Sequence, residues 1–338
     1  MKKTYLCTGN EACAEGALRA GCRFYAGYPI TPQNELIAYM SRHMRERGGV
    51  FIQAESELSA VNMVLGASIA GARAMTSSSG PGISLKQEAI SYIAAGELPA
   101  VIVNIMRGGP GLGSISPSQS DYFQAVKGGG HGDYHLIVMA PATIQEMFDF
   151  TYRAFGLADK YRNPVMILAD GMIGQMMEVL EYDEHIEPVP FVKKDWALTG
   201  AKNRSGHNIK TLILGKEGET LEEYNRKLQE KYKIIASAEI EAEEYLTSDA
   251  QKVIVAYGLM SRIARTCVDN LRKNGVKAGL IRPKKLWPFP SRIIKNISAR
   301  GVKFLAVEMS AGQMVEDVRL SVCDDARVFF YGTQEEKR

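Results

Sequence analysis

The 338-residue chain is poor in several things, and each shortage removes a class of function. Its five cysteines, Cys7, Cys13, Cys22, Cys267 and Cys323, are scattered, and no Cys-x-x-Cys pair occurs among them. That excludes the usual ligand spacing of an iron–sulfur cluster or a structural zinc and leaves the thiols as reduced, mostly buried small hydrophobes. The histidines show no metal spacing either. His131 and His135 stand four apart, but Gly128-Gly129-Gly130 and Gly132 make a continuous helix there improbable, so no metal site is expected. A net charge of +3 is nearly balanced, and no basic run is interleaved with aromatics, which argues against nucleic acid as a partner. The opening Met1-Lys2-Lys3-Thr4 leads into a short segment broken by Gly9, Asn10 and Glu11. It contains no signal-peptide core, and no stretch is long enough to span a membrane, so a cytoplasmic location without membrane association is expected.

What is present is an alternation of helix and strand over roughly residues 11–172. Helices are expected near 11–19, 35–47, 83–95 and 143–161, with one more beginning at Glu57. Short strands are expected at 23–26, 51–53, 74–77, 101–105, 136–139 and 165–169. Such alternation predicts a mainly parallel sheet covered by helices on both faces. Periodicity fades over residues 180–210, where Pro188, Pro190 and Gly200 gather, and a charged, solvated helix is expected from Thr220 to Tyr232. A second α/β unit begins near Lys252. The expected organisation is a first domain over 1–180, a linker with its charged helix over 181–250, and a second domain over 251–338.

Three features carry possible chemistry. Tyr28-Pro29-Ile30-Thr31-Pro32 must be a rigid loop, because its prolines fix φ and remove backbone donors. Glu57 opens a helical run in which its spacing aligns it with Val61, Val64 and Leu65, so a carboxylate turns towards protein, where burial would raise its pKa. Arg107 closes the most apolar strand at the end where open α/β sheets bind ligands, and its guanidinium can grip a carboxylate in bidentate fashion. Each has a plainer alternative. Thr31 suits an N-cap for the helix near Glu35, Glu57 a first-turn surface carboxylate, and Arg107 an ordinary strand-end arginine. Ser79-Gly80-Pro81-Gly82 serves equally as a tight strand-to-helix turn or as a cradle of free N–H groups. The glycines after Arg107 make no dinucleotide fingerprint, because Pro110 interrupts them.

The combination is more specific than its parts. The Tyr28–Pro32 loop, Glu57 ahead of Gly66, the Ser79–Gly82 turn and Arg107 occur in the order seen in the 2-oxoacid:ferredoxin oxidoreductases. The chain resembles their α subunit, of the 2-oxoisovalerate or 2-oxoglutarate type. The resemblance continues through Gln119-Ser120-Asp121, Arg282-Pro283, Leu286-Trp287-Pro288-Phe289-Pro290 and Glu308-Met309-Ser310-Ala311-Gly312-Gln313-Met314. The first motif and the last two are specific, whereas the glycine turn is shared with many thiamine enzymes.

The resemblance implies two doubly wound α/β domains: a pyrimidine-type thiamine diphosphate-binding domain, then one like the C-terminal domain of transketolase. It implies that Glu57 bonds the cofactor's aminopyrimidine and promotes the imino tautomer that removes the thiazolium proton. Arg107 would hold the substrate carboxylate and Thr31 would help position substrate or cofactor. Tyr28, Pro29, Ile30, Ser79, Gly80 and Pro81 would line the cofactor. Carbon dioxide leaves, the acyl group goes to coenzyme A, and electrons pass singly to iron–sulfur clusters. The wider family holds magnesium through Gly-Asp-Gly with a later asparagine, which this chain lacks. Ala169-Asp170-Gly171 misses the first glycine, and Gly130-His131-Gly132-Asp133 has the wrong order. The diphosphate and magnesium site is therefore expected on a β subunit, with clusters on γ and ferredoxin-like subunits, in a dimer of hetero-oligomers. Branched-chain 2-oxoacids are the first expectation, because the Arg107 loop resembles that subgroup and no second basic residue precedes Lys127 after Arg107, with pyruvate, 2-oxoglutarate and aryl oxoacids as the alternatives. The rival readings are the β chain of a lipoyl-linked 2-oxoacid dehydrogenase, disfavoured by the Tyr28–Pro32 loop, and a non-catalytic scaffold, disfavoured by Glu57, Thr31 and Arg107 together.

Overall fold

The computed structural model describes residues 2–202, 206, 208–213 and 219–333. Strand Val101–Met106 is buried along its whole length, as a continuous apolar run demands, and lies at the middle of a seven-stranded sheet. The spatial order is Lys285–Trp287, Ile137–Met139, Val165–Asp170, Val101–Met106, Ala74–Ser78, Phe24–Gly27 and Val50–Gln53. Every pairing in it is parallel except that of the edge strand Lys285–Trp287. From Phe24–Gly27 the chain moves outward to Val50–Gln53 and then crosses back to Ala74–Ser78 on the other side. The two neighbours Phe24–Gly27 and Ala74–Ser78 thus flank a topological switch point, whose crevice at the strands' carboxyl ends is the general ligand site of such sheets.

A second sheet runs Val328–Gly332, Lys303–Glu308, Lys252–Val255, Ala278–Pro283 and Ala242–Tyr245, parallel but for the last. Lys2–Thr8 and Met177–Asp183 form a separate antiparallel pair. The α/β architecture is the one the alternation predicts, while four elements depart from the sequence reading. Lys2–Thr8, Met177–Asp183, Ala242–Tyr245 and Lys285–Trp287 are strands where none was expected. All four find their hydrogen bonds with segments distant in the chain, and local pattern does not encode such pairing. The helix expected as solvated over 220–232 runs Leu221–Ala238 and buries Leu228, Tyr232 and Ile235. It is fastened to the first sheet's surroundings by Lys227 and Lys231 on Glu97. The Pro-rich segment before it is strapped down too: Arg73, itself buried, donates to Val189 O at 2.6 Å, Pro190 O at 2.7 Å and Asp159 at 2.8 Å.

The two large sheets are joined by the later motifs. Gln119 donates from Nε2 to Tyr257 O at 3.0 Å and accepts at Oε1 from Met309 N at 3.0 Å, while its own N–H reaches Met309 O at 2.8 Å. Gln313 bonds both ways with the Ser120–Phe123 segment. Glu308 accepts from the N–H groups of Gln313, Met314 and Val315 and so caps the helix Met314–Ser321. Arg282 makes a bidentate pair with Glu146 at 2.7 Å. Removing the Gln119 side chain strands the buried Met309 N–H and leaves the Tyr257 carbonyl with Ser261 N alone, so Gln119→Ala is expected to destabilise the protein by about 1–3 kcal/mol. Urea denaturation reads this as a lower midpoint, and an unchanged midpoint shows the clamp to be dispensable.

Candidate active site

Four successive loops meet at the switch point. The loop Tyr28–Pro32 leaves strand Phe24–Gly27 and is held by a buried relay. Tyr25 OH and Ser77 Oγ lie 2.6 Å apart, Ser77 Oγ donates to Gln33 Oε1 at 2.6 Å, and Gln33 Nε2 donates to Tyr28 O at 3.2 Å. Asn10 Nδ2 adds a bond to Pro32 O at 2.8 Å. The loop is therefore fixed from beneath, and Tyr28, Pro29, Ile30 and Thr31 keep exposed or partly exposed surface. Thr31 is not an N-cap. The next helix, Asn34–His43, has Gln33 at that position without a side-chain cap, and Thr31 Oγ1 meets only Asn34 Nδ2 at 3.4 Å.

Glu57 is the first residue of helix Glu57–Ile69, which Ser56 caps through Ser59 N. The plain reading of Glu57 as a surface carboxylate fails: it is 6% exposed, whereas Glu55 takes the exposed place and bonds Ser59. Among the described residues the Glu57 carboxylate has no hydrogen-bond partner. It packs on Gly82, where an added methyl would overlap Ser78 Oγ and sit 2.5 Å from Glu57 Oε1. The glycine turn is thus more than a tight connection. Gly82 makes room for the carboxylate, and Gly80, at φ +44°, lets the Arg107 side chain lie against it, 3.1 Å from where a Cβ would stand.

Arg107 follows strand Val101–Met106 and is buried. Nη1 donates to Thr31 O at 3.1 Å and Nη2 to Leu112 O at 2.9 Å, so the guanidinium ties the first loop to its own. Its Nε is buried without a partner among the described residues, as are the hydroxyls of Ser78 and Ser79 and Asn104 Oδ1. Asn104 Nδ2 donates to Asp121 at 2.9 Å. Burial pushes the Asp121 carboxyl up, against the pull of Asn104 and of the Arg107 charge. Buried polar groups are rarely left unsatisfied in a native protein, and these four, towards the carboxyl ends of the adjacent strands Ala74–Ser78 and Val101–Met106, mark a place where a polar molecule belongs.

Structure thus brings Thr31, Glu57, Ser79, Gly80, Pro81 and Arg107 to one crevice. Sequence reasoning missed Gln33, Ser77, Ser78 and Lys86. The last was detectable, because Lys86 falls on the apolar face of Ile83, Ile90 and Ile93 in its helix. Asp170, the nearest match to a magnesium motif, spends its oxygens on the backbone N–H groups of Ile173 and Leu259. Among the described residues no cluster of histidine, cysteine and acidic side chains is arranged to hold a metal, and no helix is long and apolar enough to cross a membrane.

The fold is that of the thiamine diphosphate-binding domains. A model described as pyruvate flavodoxin/ferredoxin oxidoreductase, thiamine diphosphate-binding, matches residues 15–247, and one described as pyruvate:ferredoxin oxidoreductase core domain II matches residues 250–335. The chain belongs to this family of 2-oxoacid:ferredoxin oxidoreductase subunits, which sets it apart from the lipoyl-linked rival. It is similar to the ketoisovalerate oxidoreductase subunit VorB of Methanothermobacter marburgensis, at 51% identity over 96% of this chain and 92% of that one. It is also similar to the 2-oxoglutarate synthase subunit KorA of Methanothermobacter thermautotrophicus, at 39% identity over 94% and 91%. The solved 2-oxoglutarate:ferredoxin oxidoreductase from Magnetococcus marinus, with 2-oxoglutarate, coenzyme A and succinyl-CoA bound, superposes with a TM-score of 0.88 at 27% identity. That match covers 98% of this chain, which spans 62% of the solved one. A split-gene transketolase in an inactive β4 tetramer, at 14% identity and a TM-score of 0.57, shares the fold.

Proposed function

We propose that this chain is the α subunit of a hetero-oligomeric enzyme that oxidatively decarboxylates branched-chain 2-oxoacids to acyl-CoA and passes the electrons to ferredoxin. The observation that carries the reading is the buried Glu57 carboxylate without a partner, beside the orphaned Ser78 and Ser79 hydroxyls. A carboxylate in that position is costly unless something shares its proton, and the aminopyrimidine end of thiamine diphosphate fits the need. When bound, the cofactor supplies the nucleophilic carbon and the electron sink for decarboxylation. Glu57 holds and returns a proton at the pyrimidine nitrogen. Tyr28, Pro29, Ile30, Ser79, Gly80 and Pro81 shape the wall around it. Thr31 and Arg107 face the substrate, whose carboxylate the free guanidinium N–H groups receive.

The exposed apolar side chains Tyr28 and Leu58, and Leu112 and Ile115 on the loop that Arg107 anchors, lie beside the crevice and support its completion by a β subunit that carries the diphosphate and magnesium. The scattered cysteines, with Cys7, Cys13 and Cys22 buried and free, support clusters held on γ and ferredoxin-like subunits and an assembly in the cytoplasm. Two features favour a branched-chain substrate. Lys127, the next basic residue after Arg107, is engaged by Asp317, and the loop that Arg107 anchors carries the apolar Leu112 and Ile115. In an assay of the intact complex with coenzyme A and a viologen acceptor, kcat/KM for 2-oxoisovalerate is expected to exceed that for 2-oxoglutarate by roughly tenfold or more, as an uncompensated second carboxylate demands. A preference for 2-oxoglutarate overturns the substrate assignment.

A further inference from the structure

Lys86 lies on helix Pro81–Ala95 and is fully buried. Its Nζ donates to Thr76 Oγ1 at 2.8 Å and to the backbone carbonyl of Glu57 at 3.3 Å. The ammonium therefore sits directly behind the first turn of the helix that carries the unpartnered carboxylate. Strand Ala74–Ser78 presents it with the neutral Thr76, and helix Glu57–Ile69 presents Glu57, the charged group that acts on it. Glu88, on its own helix, is exposed and bonds Tyr92 instead. A leucine or methionine would fill this place at far lower desolvation cost, so the charge itself calls for a purpose.

We propose that Lys86 is a positioning residue for Glu57, fixing the start of its helix and holding a positive charge behind the carboxylate. The proposal rests on the reading of Glu57 given above. Burial pushes the Lys86 ammonium down to about 7, with the Glu57 charge resisting the shift. The lysine is thus charged below neutrality and loses its charge as the pH rises through that value. The start of the Glu57 helix thus has a charged donor behind it in the first range and a neutral one in the second.

The test uses the reconstituted complex with Lys86→Met, Lys86→Arg and, as a reference, Glu57→Gln. Two pH profiles are measured for each: kcat/KM for the preferred 2-oxoacid, and the dissociation constant of thiamine diphosphate followed by quenching of protein fluorescence. Methionine has no charge to lose, so Lys86→Met is expected to abolish the inflection near neutrality in both profiles and to lower kcat/KM below it by roughly tenfold. Arginine keeps its charge throughout, so Lys86→Arg is expected to abolish the same inflection while keeping the wild-type plateau below it. An inflection near neutrality that persists in Lys86→Met, or a low-pH plateau unchanged in it, overturns the proposal. If Lys86→Met does not assemble, Lys86→Arg decides, and a neutral inflection retained in it has the same consequence. Full activity in Glu57→Gln would instead defeat the underlying reading of Glu57, whatever the lysine variants show.

Discussion

Glu57→Gln in the reconstituted complex is expected to lower kcat for oxoacid-dependent viologen reduction by roughly 10²–10⁴-fold, the range that a lost acid–base group commands. The substitution is nearly isosteric and fits the space that Gly82 leaves open. Inside the chain it breaks no hydrogen bond to the carboxylate, since that group has none among the described residues. Stability should therefore stay close to that of wild type, and the loss should fall on kcat rather than on the KM for the oxoacid. Glutamine can still accept a bond or donate one, but it cannot exchange a proton with a ring nitrogen. Undiminished dye reduction by the variant would restore the scaffold reading, in which the fold persists without its chemistry.

How far the sequence foretold this site depends on what kind of signal each residue leaves. Glu57 was legible because helical spacing aligns it with Val61 and Val64, which are buried with it. Arg107 was legible because it ends a run that can only be a central strand. The prolines of the Tyr28–Pro32 segment announced a rigid loop, while the reason it stays in place, the Tyr25–Ser77–Gln33 relay, lies on three separate segments and leaves no local trace. The same limit hid the edge strands. Lys285–Trp287 sits within a motif recognised at the outset, but its pairing with Ile137–Met139 of the first sheet is a long-range event.

The motifs also divide by role in a way that spacing did not reveal. Tyr28–Pro32, Ser79–Gly82 and Arg107 gather at the crevice. Gln119, Arg282, Glu308, Met309 and Gln313 gather at the seam between the two large sheets, where they satisfy one another's buried polar groups. A seam of that kind fixes the second sheet relative to the segment Ser118–Phe123, which follows directly from the Arg107 loop. Gln119 is thus connected to the chemistry through the chain rather than by contact with it.

Arg107 itself carries the second large effect, because its guanidinium is asked to do two things. Two of its N–H groups already join Thr31 O and Leu112 O, which holds the walls of the crevice together, and under the proposed function the remainder would receive a substrate carboxylate. Arg107→Met removes both functions. Truncating one side of a buried, hydrogen-bonded charge pair costs about 2–5 kcal/mol, so kcat/KM should fall by roughly 30- to 5,000-fold. Arg107→Lys separates the functions. A lysine ammonium keeps the charge but has neither the planar fork nor the reach to bond Thr31 O, Leu112 O and a carboxylate together. Its expected signature is a raised KM for the oxoacid with cofactor affinity nearly unchanged, measured on the intact complex by steady-state kinetics and by thiamine diphosphate titration. If both variants weaken cofactor binding and leave the KM for the oxoacid alone, Arg107 serves the loops and not the substrate, and the carboxylate of the 2-oxoacid must be received elsewhere in the assembled site.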